Sequence, residues 1–395
     1  MTSIPLARPA CADAQAPAAA IPDGAATVPA RILHVFPTFA VGGVQLRIAD
    51  VANRLGPGFV HEAIALDDRT DAAQRLWADT PWRLLGADGL SGARRLPAIW
   101  ARLRALRPDL LCTYNFGAMD WALANTYGAR LPHIHFESGF GPDEALRPRR
   151  ARSFYRRLAL GGVDRLVVPG EGLGRIARTQ RWVARDRIQL VTNGVDLRWY
   201  HPDVVVQPVP ALADAPVAVV AVAPLRAEKR LERLIELFAA ATADTQARLI
   251  ICGDGPCGGQ LRFLAQRSPA AGRIHFAGHL DDVRRALNGP VVFAMTSETE
   301  QSPNALIQAM AMRRPVVAFA AGDIPLILPE EQRVHVHAQD DTGGFAASLR
   351  RLVSDPQARR TLGRANRARV EARHDMDKMV AAYRDLYSQA LERRA

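Results

Sequence analysis

The sequence predicts an α/β protein made of two Rossmann-like, doubly wound domains, and three observations predict it. Its 395 residues exceed one ordinary core and suit two domains of about 150–200 residues each. Short apolar runs alternate with longer helical stretches, the pattern of parallel sheets covered by helices. The series breaks off near the Asn193–Gly194 turn and the Pro-spotted stretch 201–216, then restarts at Val217. The 48% hydrophobic and 23% charged composition belongs to an ordinary globular chain.

Taken in order, residues 1–29 are rich in Ala and Pro, and Asp13 and Asp23 interrupt them. They lack the continuous apolar segment of a secretory signal, so a disordered extension is expected. The first domain, 30–200, should carry strands at Arg31–Phe36, Val60–Leu66, Leu110–Tyr114, His133–Phe136, Arg165–Val168 and Arg187–Val191, with helices such as Val44–Leu55 and Leu96–Leu106 between them. The second, 201–375, should carry strands at Val217–Val222, Arg248–Cys252, Ile274–Ala277, Val291–Met295 and Pro315–Phe319. A helix near Leu231–Ala241 follows its first strand. A last helix within 376–395, MVAAYRDLYSQAL, closes the chain. Such sheets bind ligands at the carboxyl ends of their strands, and two of them are expected to face each other across a cleft.

Charge and cysteines narrow the class. The net charge is +11, and residues 30–200 hold 25 basic against 16 acidic groups, whereas 201–395 hold 25 against 22. The first domain therefore faces something anionic more than the second does. No basic stripe interleaved with aromatics supports nucleic acid as that partner. An anionic membrane surface or a phosphate-bearing acceptor fits better, and the segment 147–158, RPRRARSFYRRL, is the candidate contact. The four cysteines show neither zinc-ligand nor disulfide spacing and read as thiols in a reducing cytoplasm. No apolar run approaches the ~18 residues of a membrane span.

Three motifs could carry chemistry. In PTFAVGGVQLR (37–47), Gly42 and Gly43 separate a strand from a helix. Glycine tolerates unusual backbone angles and lets a phosphate or sugar reach the amides at the helix start, although such a pair is also an ordinary turn. In VAPLRAEKRLERL (222–234), Arg226 and Lys229 follow a strand and precede a helix, which suits a diphosphate or, equally, a solvated loop. In TSETEQSPNALIQAMAMRRPVVA (296–318), Ser302 fits an N-cap and Pro303 the first helical position. The amides of Asn304, Ala305 and Leu306 would then point outward, with Glu300 in the loop before them and Gln308 deeper on the helix. That order could hold a sugar, a diphosphate and a ribose, or could be a capped helix with a polar surface.

In family order these segments, with VTNGVDLRWYHP (191–202), LIICGDGP (249–256), IHFAGHLDDV (274–283) and the closing helix, resemble the family 4 nucleotide-sugar glycosyltransferases. The resemblance implies the GT-B fold and a retaining sugar transfer from a nucleotide diphosphate to a glycan or lipid-linked glycan. The work would be done in the cytoplasm, at the inner face of the membrane. It implies that Gly42 and Gly43 approach phosphate and sugar, and that Arg226 and Lys229 neutralise the diphosphate in place of a metal ion. No cofactor is then needed. Glu300 would contact the sugar, Gly278 and His279 would meet the base, and Asn193 would sit at the hinge beside substrate. Three positions depart from the family pattern. Gln308 replaces a glutamate, Ala223-Pro224 replaces a Gly-Arg, and Ser138, with Glu137 beside it, stands where a histidine is frequent. These departures motivate the alternative of a non-catalytic nucleotide-sugar-binding protein that kept the fold.

Overall fold

Runs of β-branched and apolar residues that must be buried on both faces become the central strands of two parallel sheets. The computed structural model describes residues 28–139 and 149–393. The chain folds into two compact units, one reaching Asn193 and resuming at Asp377, the other spanning Gly194–Met376. The expected boundaries at 200 and 375 shift because the stretch after Asn193 bonds to the second unit. Val195 N–H donates to His374 O at 2.8 Å and Arg367 to Tyr200 O at 2.7 Å.

The first unit holds β1 (Ala30–Phe36), β2 (Phe59–Ala65), β3 (Trp82–Leu85), β4 (Leu110–Tyr114), β5 (His133–Phe136), β6 (Arg165–Val168) and β7 (Ile188–Leu190). They lie in the order β3-β2-β1-β4-β5-β6-β7, and every pairing is parallel. Helix Gly43–Leu55 follows β1 and buries Ile48, Ala49, Val51, Ala52 and Leu55, a spacing that keeps one face on the sheet. Helix Leu96–Leu106 ends where Arg107 turns left-handed, at φ 46°. The helix Met376–Glu392 lays Tyr383 flat on Phe136, with ring centroids 5.3 Å apart. The expected extension 1–29 falls almost wholly outside the described residues.

The second unit holds β8 (Ala218–Val222), β9 (Arg248–Cys252), β10 (Ile274–Gly278), β11 (Val291–Met295), β12 (Val316–Phe319) and β13 (Val336–His337), ordered β10-β9-β8-β11-β12-β13. Alternation splits β8 cleanly. Ala218 and Val220 join one apolar cluster, while Val219 and Ala221 join the one on the opposite face. Helix Leu231–Ala241 contributes Leu231, Leu234, Ile235 and Phe238 to the latter. The unit's two ends run side by side, joined by a parallel bridge between Val195 and Asp375. β3 and β13 go beyond the strands expected from sequence, and β7 is shorter than expected at both ends.

Candidate functional site

Each sheet reverses its strand order once, between β1 and β4 in the first unit and between β8 and β11 in the second. Doubly wound sheets bind ligands at that reversal, beyond the carboxyl ends of the strands. The motifs singled out in the sequence fall at both places.

In the second unit, the loop after β8 carries Arg226 and Lys229, and the loop after β11 carries Glu300. Lys229 Nζ donates to Glu300 Oε1 at 2.6 Å, and Ser297 Oγ donates to the same oxygen at 2.7 Å. Oε2 accepts no protein hydrogen bond among the described residues. Four further contacts brace the same two loops. Glu298 N–H reaches Glu228 O at 2.9 Å and Thr296 Oγ1 reaches Lys229 O at 3.0 Å. Arg230 pairs with Glu298, and Arg233 Nε donates to Thr296 O at 2.9 Å. Arg226 is exposed and pairs with no carboxylate among the described residues. The two cations therefore differ: one is already neutralised by Glu300, and the other is available.

Helix Asn304–Ala311 begins one residue later than expected. Pro303, with φ −72° and ψ 114°, is its N-cap, and no side chain caps it. Leu306 N–H already donates to Pro303 O at 3.1 Å, so it is not among the outward amides. Ser302 is consequently a loop residue. Gln308 is half-buried, with no side-chain hydrogen bond among the described residues. Gly322, after β12, has φ +50°, and a Cβ there would stand 1.5 Å from Glu300 O. Only glycine leaves the Glu300 loop where it is.

The loops after β9 and β10 interlock in the same way. Gly253 sits at φ +131°, where a Cβ would stand 2.0 Å from Ala223 O. Gly278, at φ +68°, accepts from Gly253 N–H at 2.7 Å, and His279 N–H donates to Asp254 Oδ2 at 2.9 Å. The His279 side chain is exposed.

In the first unit, Gly42 is the N-cap of helix Gly43–Leu55 with φ −168°, extended backbone that any residue adopts. Glycine is thus not required there by its backbone angle. A Cβ would instead meet Gln45 Oε1 at 2.6 Å, and Gln45 closes the loop by donating to Thr38 O at 2.9 Å. Gly43 is exposed, so the open approach at the helix start remains. Arg47, one turn on, donates to Ser138 Oγ at 2.8 Å and to Asn193 Oδ1. Ser138 and Asn193, far apart in sequence, are thus brought together by the last residue of the glycine motif, whose role no local signal marks.

Glu137 does not line a binding surface. It is fully buried, just past the end of β5, and takes Arg156 Nε at 3.1 Å. His133 and His135 share the Thr113 hydroxyl at 2.8 and 2.7 Å. Burial, aided by His135, pushes the His133 pKa down to about 3, so it is a neutral core residue. Of the segment 147–158, Arg147 lies outside the described residues and the helix runs Arg150–Ala159. Arg156 is buried between the Phe116 and Trp182 rings, and Tyr155 bonds Asp120. Arg150, Arg157, Leu158 and Phe154 (63%) stay exposed. Cys112 and Cys252 are free and buried, as expected.

Two parallel doubly wound units with loops gathered at their strand reversals define the GT-B class. Two family profiles match this chain, "Glycosyltransferase Family 4" over residues 41–199 and "Glycosyl transferases group 1" over 216–355. The chain belongs to the family 4 glycosyltransferases. It is 25% identical over 206 residues to N-acetyl-alpha-D-glucosaminyl L-malate synthase of Bacillus anthracis, covering 52% of this chain and 54% of that protein. It is 29% identical over 218 residues to sulfoquinovosyl transferase SQD2 of Arabidopsis thaliana, covering 53% and 41%. The chain spans about half the length of these curated relatives. Among solved structures, Anabaena Alr3699/HepE in complex with UDP aligns with a TM-score of 0.75 at 16% identity, over 91% of this chain and all of that one. That likeness is one of fold.

Proposed function

We propose that the protein transfers a sugar from a nucleotide diphosphate to a glycan or lipid-linked glycan, with retention and without a metal, in polysaccharide or glycolipid synthesis. The observation that carries this reading is the braced pair of loops at the reversal of the second sheet. There Glu300 is held through one oxygen while the other has no protein partner among the described residues, beside an exposed Arg226. A carboxylate fixed in this way suits the hydroxyls of the transferred sugar. Arg226, and Lys229 once it exchanges Glu300 for phosphate, offset the charge that develops on the leaving diphosphate. Preorganised cations stabilise that charge most in the transition state, which is where rate is gained. Solved structures of similar fold contain UDP and UDP-glucose, so uridine diphosphate sugars are the first donors to test. Relatives named for lipopolysaccharide core synthesis support a glycan acceptor.

The test is UDP release from UDP-glucose and related donors by the full chain, with cell-envelope glycolipid as acceptor and with or without EDTA. Turnover that survives chelation is expected. Loss in EDTA with recovery in manganese would overturn the metal-free mechanism. Binding of UDP with no release from any donor would turn the reading to a binding protein. For the membrane, no helix among the described residues is long and apolar enough to cross one. The exposed stripe Arg150, Phe154, Arg157 and Leu158 supports contact with an anionic surface instead. Vesicles containing phosphatidylglycerol should bind the chain at low salt and release it at high salt. Binding that Phe154→Asp leaves unchanged would exclude this helix.

A further inference from the structure

Among the described residues four arginines are buried: Arg47, Arg156, Arg284 and Arg367. Three of them face a carboxylate. Arg156 pairs with Glu137 at 3.1 Å, Arg284 with Asp282 at 2.7 Å and Arg367 with Glu371 at 2.6 Å. Arg47, 9% exposed, does not. Its two terminal nitrogens donate to Ser138 Oγ and Asn193 Oδ1, both neutral, and its buried Nε has no hydrogen-bond partner among the described residues. The Tyr383 hydroxyl beside it is neutral as well, with burial pushing its pKa up. A guanidinium cannot shed its proton to escape burial, so the described residues of this unit hold a formal charge here without a counter-charge. Such an arrangement is costly unless an anion completes it.

The position says which anion. Arg47 belongs to the helix that follows β1, Ser138 lies two residues past the end of β5, and the exposed Gly43 stands one turn before Arg47. This is the strand reversal of the first sheet, where a ligand of that unit binds. Ser138 Oγ accepts from Arg47, and its own hydrogen has no acceptor among the described residues, since the Ser138 amide is occupied separately by Asn115 Oδ1 at 2.8 Å. A cation and a hydroxyl donor side by side form a pocket for carboxylate or phosphate oxygens.

We infer that Arg47, with Ser138, forms an anion subsite in the first unit that takes a carboxylate or phosphate carried by the acceptor. The inference rests on the transferase reading for the word acceptor, but the anion site itself does not.

The experiment uses the full chain with saturating UDP, which occupies the diphosphate site, and titrates inorganic phosphate or succinate at an ionic strength held with chloride. Calorimetry and the shift in Tm are the readouts. Both the wild type and Arg47→Lys should bind, with Arg47→Gln at least tenfold weaker and Ser138→Ala weaker by several-fold. The stronger of the two probes tells a phosphate-bearing acceptor from a carboxylate-bearing one. Equal binding by Arg47→Gln and wild type, or no binding of either probe to the wild type, overturns the subsite. If Arg47→Gln does not fold, Ser138→Ala decides, and unchanged affinity in it counts against the proposal. UDP affinity is measured separately and should be unchanged in all three variants. Failure of UDP to bind would sink the donor reading, and the titration would then be run without it.

Discussion

The two strand reversals in this molecule handle charge in opposite ways. In the second unit, Lys229 meets Glu300, Arg230 meets Glu298 and Arg233 caps the Thr296 carbonyl, so loops from two strands are welded by local compensation. In the first unit, Arg47 is held by the Ser138 hydroxyl and the Asn193 amide, and the same unit buries neutral histidines. His34 bonds Tyr114 at 2.7 Å and His61 at 3.0 Å, all of them buried. Preorganisation by ion pairs makes the second site complete in itself. Preorganisation by neutral groups leaves the first with a cation that lacks a counter-charge among the described residues, and with buried histidines that resist added protons.

That contrast sets the largest expected effect, which is pH. Burial depresses His61 to about 4 and, with His135, His133 to about 3, and it lowers His34 as well. In the second unit His335 is pushed down to about 4, chiefly by burial. These folded values lie below the unfolded value of about 6.5, so the unfolded chain binds protons that the folded one refuses. The stabilisation is fully present above pH ~6.5 and is lost as pH falls toward 4 and 3. Each histidine costs about 1.4 kcal/mol per pH step across its window, an order-of-magnitude figure. Three such groups, each almost wholly buried, against His335 and the less buried His275, whose pKa burial also lowers, should open the first unit before the second. Hydrogen exchange at pH 7 and pH 5 checks this, and earlier loss of protection in the second unit would break the comparison.

Next in size is Gly322→Ala. The new Cβ collides with the Glu300 carbonyl, and a left-handed alanine adds strain of ~1–3 kcal/mol. Stability should fall by at least that much and turnover should fall further, because Glu300 moves. Denaturant midpoints and kcat measure the two separately. Intact kcat would show that the Glu300 loop does not need its bracing.

The smallest pair sharpens the roles along one loop and helix. Glu300→Gln removes a charged partner of Lys229, and charged hydrogen bonds contribute ~1.5–3 kcal/mol, so kcat should drop about ten- to a hundredfold. Gln308→Glu adds an acceptor-only carboxylate at a half-buried position and should tighten donor binding by up to roughly tenfold, ~1.4 kcal/mol. Unchanged kcat in the first and unchanged donor KM in the second would remove the donor from this helix.

The strands most legible in the sequence are those with a nearly continuous apolar run, such as Leu110–Tyr114 and Arg248–Cys252, because burial on both faces leaves few polar positions. β3 escapes because Trp82–Leu85 is a half-exposed edge strand following Pro81, and β13 because two residues carry no period. Gly42, Arg226 and Glu300 announce themselves by lying just past a strand. Arg47 and Arg233 do not, since each sits within a helix and gains its meaning from a partner far along the chain. The start of the 304–311 helix slips by one residue because a proline can cap as well as begin a helix. Glu137 misleads because it neighbours Ser138 in sequence, while its carboxylate is buried against Arg156.

The bridge between Val195 and Asp375 has a consequence of another kind. A module whose entry and exit strands are already hydrogen-bonded to each other is an insertion closed at its own neck. Its ends need no help from the host sheet to stay together, so the entropy of closing that long loop is met within the module. Residues 194–376 can therefore be lifted out as one piece, and a different module grafted at the same two cuts, without re-threading a single strand of the first sheet.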